Sequence, residues 1–183
     1  GTLNIPAESS NFLSLNATAA YEFESQCGTS YTAVVVVDAD DAGSAYDWAY
    51  TMIPNDRLTN FASIAWAPGS NDLSANYNPI WVTSATATTI YVKWDGNLGD
   101  VTAKKTLCNI AYDEKYSINA LQSLKLYNTA KNDQSGAAVF TCDGSPITAI
   151  WGQDANAGNP TPTSGISMDV GYLMIPRCLD KLI

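Results

Sequence analysis

Apolar residues fall in short runs separated by turn chemistry along the whole chain. The runs are NFLSL, ATAAYEFES, YTAVVVVD, YDWAYTMIP, FASIAWAP, PIWVTSA, TTIYVKWD, SLKLYN, AAVFTCD, ITAIWGQ and GYLMIP, each rich in β-branched and aromatic residues. Between them lie PGSND, DGNLGD, NDQSG, CDGSP and DANAGNPTPTSG, where Gly, Pro, Asn and Asp supply the backbone conformations that turns need. Short strands at this spacing, with little helical periodicity, predict an all-β fold: an antiparallel β-sandwich of jelly-roll type. In TTIYVKWD the alternation is clear, with Ile90, Val92 and Trp94 on one face and Thr89, Tyr91 and Lys93 on the other.

Five segments depart from plain alternation. VVVV, residues 34–37, does not alternate, which predicts a strand covered on both faces in the middle of a sheet. YSINALQSLKLYN, residues 116–128, mixes helical and strand spacing and reads as a turn followed by a strand. YTMIP (50–54) and YLMIP (172–176) read as strand ends stopped by proline. DANAGNPTPTSG, residues 154–165, is too long and too rich in Gly and Pro for a hairpin turn, and reads as an exposed loop suited to contacts with another subunit.

Composition narrows the class. A chain of 183 residues fits a single domain, 1–183, with residues 1–15 as an extended first strand or an assembly arm. Charged residues make up 15%, against about 25% in an ordinary globular chain, so Ser, Thr, Asn and Gln build the polar surface. The net charge of −9 disfavours nucleic acid and anionic lipid as partners and favours cations. There is no histidine, which removes the commonest general base, the commonest transition-metal ligand and any Ser–His or Cys–His nucleophile. Cys27, Cys108, Cys142 and Cys178 are widely spread with no C-x-x-C pair, which argues against zinc and predicts two disulfides made in an oxidising, extracellular compartment. Three pairings are open. No apolar run reaches the roughly 18–20 residues that cross a bilayer. The polar start at Gly1 reads as a mature end after processing, and Asn16-Ala17-Thr18 is a lone glycosylation sequon.

The acids carry the candidate chemistry. Asp38, Asp40 and Asp41 follow the valine run, but counting from Asp38 leaves Ala42 and Ala49 at two ligand positions of an EF-hand loop, so that motif is absent. An irregular calcium site of loop carboxylates and carbonyls remains, against the simpler reading of a solvated turn. Asp95, Asn97 and Asp100 in WDGNLGD form a second oxygen-rich turn, and Asn132 with Asp133 a weaker third. A calcium ion at such turns would be structural, offsetting acidic repulsion and stiffening loops. A glycoside hydrolase would need two opposed carboxyls in an aromatic cleft. Trp48, Trp66, Trp81, Trp94 and Trp151 could line one, yet each sits in a strand pattern where core packing is the ordinary explanation, and Glu8, Glu22, Glu24 and Glu114 adjoin none of them in sequence.

At YDWAYTMIPNDRL, IAWAPGSNDLSANYNPIWVT, TTIYVKWDGN, ALQSLKLYN, DQSGAAVFTCDGSPITAIWGQD and LMIP, the chain resembles a recurrent extracellular region of large, repeat-rich bacterial adhesin-like surface proteins, in which this region precedes immunoglobulin-like modules. The similar blocks keep one order from about Asp38 to Pro176. The resemblance implies a cell-surface role with no enzyme activity and no catalytic residue. In that family the turn after TTIYV often carries an extra aspartate, where this chain has Lys93, and the four cysteines are a departure. Seven residues, RCLDKLI, follow Pro176 in place of the usual modules, which suggests a fragment or a free-standing subunit.

The expectation is therefore a secreted structural or adhesive β-sandwich, not an enzyme, that assembles with copies of itself or other surface proteins into an extracellular filament or surface layer. Leu3, Ile5, Phe12, Leu13 and Leu15 would be the residues inserted into a neighbour if residues 1–15 add a strand to its sheet; the plainer alternative makes them the first strand of their own sheet. A carbohydrate-binding module is the rival, favoured by two or more exposed tryptophans in a row. A carboxylate-dependent glycoside hydrolase ranks last.

Overall fold

The computed structural model describes residues 2–15, 19–26, 28–37, 48–67, 78–97, 99, 106–130, 133–152 and 171–177, with only the backbone of 106 and 107. Among the described residues thirteen strands run in chain order: β1 Val34–Val37, β2 Trp48–Thr51, β3 Phe61–Ser63, β4 Ile80–Thr83, β5 Thr88–Lys93, β6 Thr106–Leu107, β7 Ile110–Ala111, β8 Glu114–Ile118, β9 Leu124–Leu126, β10 Ala138–Phe140, β11 Thr148–Gly152, β12 Gly171–Leu173 and β13 Ile175–Pro176. All pairings are antiparallel. One sheet has the order β13-β3-β10-β5-β8, the other β12-β11-β4-β9, and two ribbons, β1-β2 and β6-β7, complete the set. The fold is the antiparallel β-sandwich that the spacing predicts.

Period-two alternation builds the core. Ile90 and Val92 of β5, Val139 of β10 and Ala62 of β3 face inward from the larger sheet, against Ile80 and Val82 of β4, Ala149 and Trp151 of β11 and Leu126 of β9. These side chains are almost wholly withdrawn from water. At roughly 25 cal/mol per Å² of apolar surface removed, each large one contributes about 1.5–3 kcal/mol to the folded state. The chain passes repeatedly from one sheet to the other, as in β3 to β4, β4 to β5 and β8 to β9, so the sheets cannot separate without unthreading these connections.

A second cluster lies on the other face of the larger sheet. Phe61, Ala138 and Phe140 point outward there and are capped by Ile110 of the β6-β7 ribbon, with Tyr91, Tyr112 and Cys142 around them. Tyr91 packs on Phe140 at 5.5 Å between ring centroids and meets Tyr112 edge-on at 5.1 Å. The ribbon turns through Cys108 and Asn109, both with positive φ (54° and 61°), the backbone that a two-residue hairpin matching strand twist requires. A Cys108–Cys142 disulfide ties that turn to the end of β10. This is one of the open pairings; Cys27 and Cys178 lie outside the described residues.

The smaller sheet carries the other ribbon. Gly152 and Gly171 pair across β11 and β12 and together leave a flat seat on the outer face. The Trp48 indole lies on it: a Cβ on Gly171 would come within 2.0 Å of the ring, and one on Gly152 within 2.6 Å. Trp48 also stacks on Trp81 at 6.3 Å and on Tyr50 at 5.8 Å.

Several expectations change. The valines of β1 are not in the middle of a sheet: they form one strand of a two-stranded ribbon, with Val34 58% and Val36 59% exposed. A uniform apolar run specifies a strand but not what covers it. NFLSL forms no strand, and of ATAAYEFES the described part makes only an isolated bridge, Ala19 to Gln122; a strand needs a partner, and these segments have none among the described strands. Residues 116–128 hold the end of β8, a turn and then β9. Pro176 ends β13 at the edge of its sheet, where a missing N–H breaks no inner ladder. The loop 154–165 and the sequon lie outside the described residues.

Candidate functional site

The Asp95 turn can be read atom by atom. β5 ends at Lys93, and the chain turns through Gly96, whose N–H donates to the Lys93 carbonyl at 3.3 Å. Gly96 has φ +64°, and a Cβ there would lie 2.2 Å from the Gly136 carbonyl oxygen, so only glycine fits. The Lys93 ammonium sits 3.1 Å from Asp95 Oδ1 and 3.2 Å from Asp113 Oδ1. Its side chain is only 5% exposed. Burial pulls the Lys93 pKa down, and the hydrogen bonds to Asp95 and Asp113 outweigh it, leaving the ammonium more basic than usual. Asp95 Oδ1 also accepts the Asn97 N–H at 3.0 Å.

At this turn the protein supplies its own cation. A calcium ion would have to displace a well-held ammonium, so the Asp95–Asn97 turn does not fit calcium. Asp100, Asp38, Asp40 and Asp41 lie outside the described residues. Among the described residues no three Asp, Glu, Cys or His side chains gather as metal ligands would.

The neighbouring acids are occupied too. Asp113 Oδ2 accepts the Trp94 N–H at 2.8 Å, and Glu114 Oε1 accepts the Trp94 indole N–H at 2.9 Å. Tyr116 donates its hydroxyl to Glu114 Oε2, and that bond, followed by burial, pushes the Tyr116 pKa up to about 12. Sequence proximity alone misses the Glu114–Trp94 contact, because strand pairing across β5 and β8 creates it. What converges here is two carboxylates with an ammonium between them, an arrangement that locks a turn.

Turns at both ends of the sandwich are fixed in the same manner. In NDQSG, Gln134 is wholly buried and links three loops: its N–H donates to the Ala67 carbonyl at 2.9 Å, its side-chain amide to the Asn78 carbonyl at 3.0 Å, and its Oε1 accepts the Asn128 N–H at 3.2 Å. Asp133 accepts the Ser135 N–H at 2.8 Å. In CDGSP, Asp143 accepts the Thr88 hydroxyl at 2.7 Å and the Ser145 N–H at 3.0 Å, and the Thr88 bond leads in lowering its pKa.

Of the five tryptophans, one is exposed. Trp66 is 54% exposed and rests edge-on against buried Trp151, 6.0 Å between centroids. Trp48 and Trp151 are buried, and Trp81 and Trp94 are half-buried, so no second exposed indole extends the surface. An open depression of about 490 Å³ lies over Phe61, Ser63, Asp95, Gly136, Ile175 and Arg177, and its acid is the one held by Lys93.

Exposed apolar side chains form two further groups. Leu3, Ile5, Phe12, Leu13 and Leu15 are all exposed in a segment that pairs with no strand among the described residues, and Val34 and Val36 are exposed on β1. No described helix is long and apolar enough to cross a membrane. Compared with family models, curated proteins and solved structures, the chain matches none.

Proposed function

We propose that this chain is a secreted structural module that acts by joining to copies of itself in an extracellular filament or surface layer. The observation that carries the reading is the contrast between a closed core and an open leading segment. The two core clusters hold their apolar side chains out of water, whereas residues 2–15 leave five large apolar side chains in it. Single exposed apolar residues, as at Trp66, Leu121 and Ile175, are ordinary, but five along one short segment mark a surface suited to a partner. The disulfide supports an oxidising, extracellular setting. Turns whose carboxylates are spent on holding the backbone support a role in durability over one in turnover. Calcium at Asp38, Asp40 and Asp41 would add to that durability. Sugar binding lacks the second exposed indole that would favour it.

Light scattering coupled to size-exclusion chromatography, with electron microscopy of the same fractions, tests the reading. Concentration-dependent assemblies of the intact chain are expected. A monodisperse monomer up to high concentration, with and without calcium, overturns it.

A further inference from the structure

We infer that the open edge of β1 is the acceptor in this assembly, and that it receives residues 11–15, NFLSL, from a second copy. The inference rests on the self-assembly reading above and specifies its contact. Met52 donates its N–H to the Ala33 carbonyl at 3.0 Å, which makes residues 33 and 52 a hydrogen-bonded pair. In an antiparallel ladder bonded and non-bonded pairs alternate, so Val35 and Val37 bond to β2 while the N–H and C=O of Val34 and Val36 turn outward. No described strand meets them there. Such an edge is a template for another strand.

The edge and the segment fit in character. NFLSL alternates, with Leu13 and Leu15 on one face and Phe12 on the other. Added beside β1, it would lay Phe12 along exposed Val34 and Val36, an aromatic–β-branched cross-strand pair, and would extend the docked face of Val35 and Val37 with the leucines. Charge permits it: on a chain of net charge −9, residues 9–15 and 28–37 carry none, so two copies can meet there without opposing acids. The three apolar side chains of NFLSL, Phe12, Leu13 and Leu15, are 38–81% exposed and the two valines 58–59%.

Donor and acceptor are different surfaces of one chain, so the contact is heterologous. Each copy donates once and receives once, and such contacts build open filaments or rings in place of closed pairs.

Two full-length variants test this. Phe12→Asp with Leu13→Asp disables the donor; Val34→Lys with Val36→Lys disables the acceptor by charging an exposed edge. Each is expected to be monomeric alone, with the far-ultraviolet circular dichroism of the parent, and the two mixed are expected to give a 1:1 dimer of twice the monomer mass and nothing larger. Val36→Pro serves as a second acceptor variant, since it deletes one outward N–H and no bond to β2, and it is expected to give the same mixing result. If the acceptor variants assemble as the parent does while the donor variant stays monomeric, the β1 edge is not the acceptor, although self-assembly stands. If the parent itself is monomeric throughout, both fail, and fold-back of the segment onto its own β1 would appear as protection of the Val34 and Val36 amides in the isolated monomer.

Discussion

The β6-β7 ribbon and the β1-β2 ribbon each lie against an outer face of the sandwich, one on the larger sheet and one on the smaller. The first is sealed. Ile110 is buried against Phe61 and Phe140, and a covalent bond holds its turn to the end of β10. The second is docked along one face only: Trp48 fills a seat made of two glycines, while Val34, Val36, Ala49 and Thr51 present the opposite face to water. The difference teaches where this molecule spends its stability and where it keeps a surface available. A ribbon that only had to protect the sheet would be finished like the first.

Matched core and ribbon substitutions break the comparison most strongly. Phe140 is fully buried between two aromatic neighbours, so Phe140→Ala is expected to cost about 3–5 kcal/mol in urea unfolding. Val36→Ala, at a site more than half exposed, is expected to stay within about 0.5 kcal/mol. Equal effects at the two positions would mean that the β1 ribbon is buried in solution.

The disulfide comes next. It closes a loop with a sequence separation of 34, for which chain entropy gives about 3–4 kcal/mol. Replacing Cys108 and Cys142 together by serine should lower stability by that order and release the β6-β7 cap, seen as faster exchange of the Ile110 and Ala111 amides. The Trp48 environment should not respond. If it does, the two ribbons are coupled through the core and the comparison loses its meaning.

How much of this was legible beforehand depends on what each signal encodes. Ile90 and Val92 alternate against Tyr91 and Lys93, and the sheet places them on opposite faces as read. Alternation reports a strand with two different sides. Four equal valines carry no such contrast, so the sequence could announce β1 but not its open edge. β8 leaves no apolar run to read because EKYSI, an edge strand, is mostly polar, and β6-β7 leave none because two residues per strand show no period. Asp95 and Asn97 stand out in the sequence for oxygen richness. Their partner Asp113 is distant in sequence, and only the β5-β8 register reveals that Lys93 joins them. Leu3, Ile5, Phe12, Leu13 and Leu15 are legible as apolar in the sequence; that they pair with no described strand needs coordinates.

Gly171→Ala sharpens the comparison at lower cost. The new methyl group meets the Trp48 ring at 2.0 Å, a collision that the indole relieves by leaving its seat. Overpacking of this kind costs about 1–3 kcal/mol. The expected outcome is local: near-ultraviolet circular dichroism from the Trp48–Trp81 pair is lost, while the core and the larger sheet unfold at nearly the parental urea concentration.

The smallest effect is also the most specific. Tyr50, on the docked face of β2, has its pKa raised from 10.0 by burial, whereas Tyr116, on the edge of the larger sheet, is pushed up to about 12, chiefly by its bond to Glu114. Both shifts favour the neutral phenol in the folded chain. Each therefore supports stability that is fully present below pH 10 and is lost as pH rises through the folded value. Their causes differ, and so must their response to undocking. In Gly171→Ala, carbon NMR of labelled tyrosine should show Tyr50 titrating near its ordinary value while Tyr116 keeps its late transition, because the Glu114 bond lies on the other sheet. Parallel movement of both would show that one cooperative unit governs the two faces; an unmoved Tyr50 would show that the indole is not what holds the β1-β2 ribbon down.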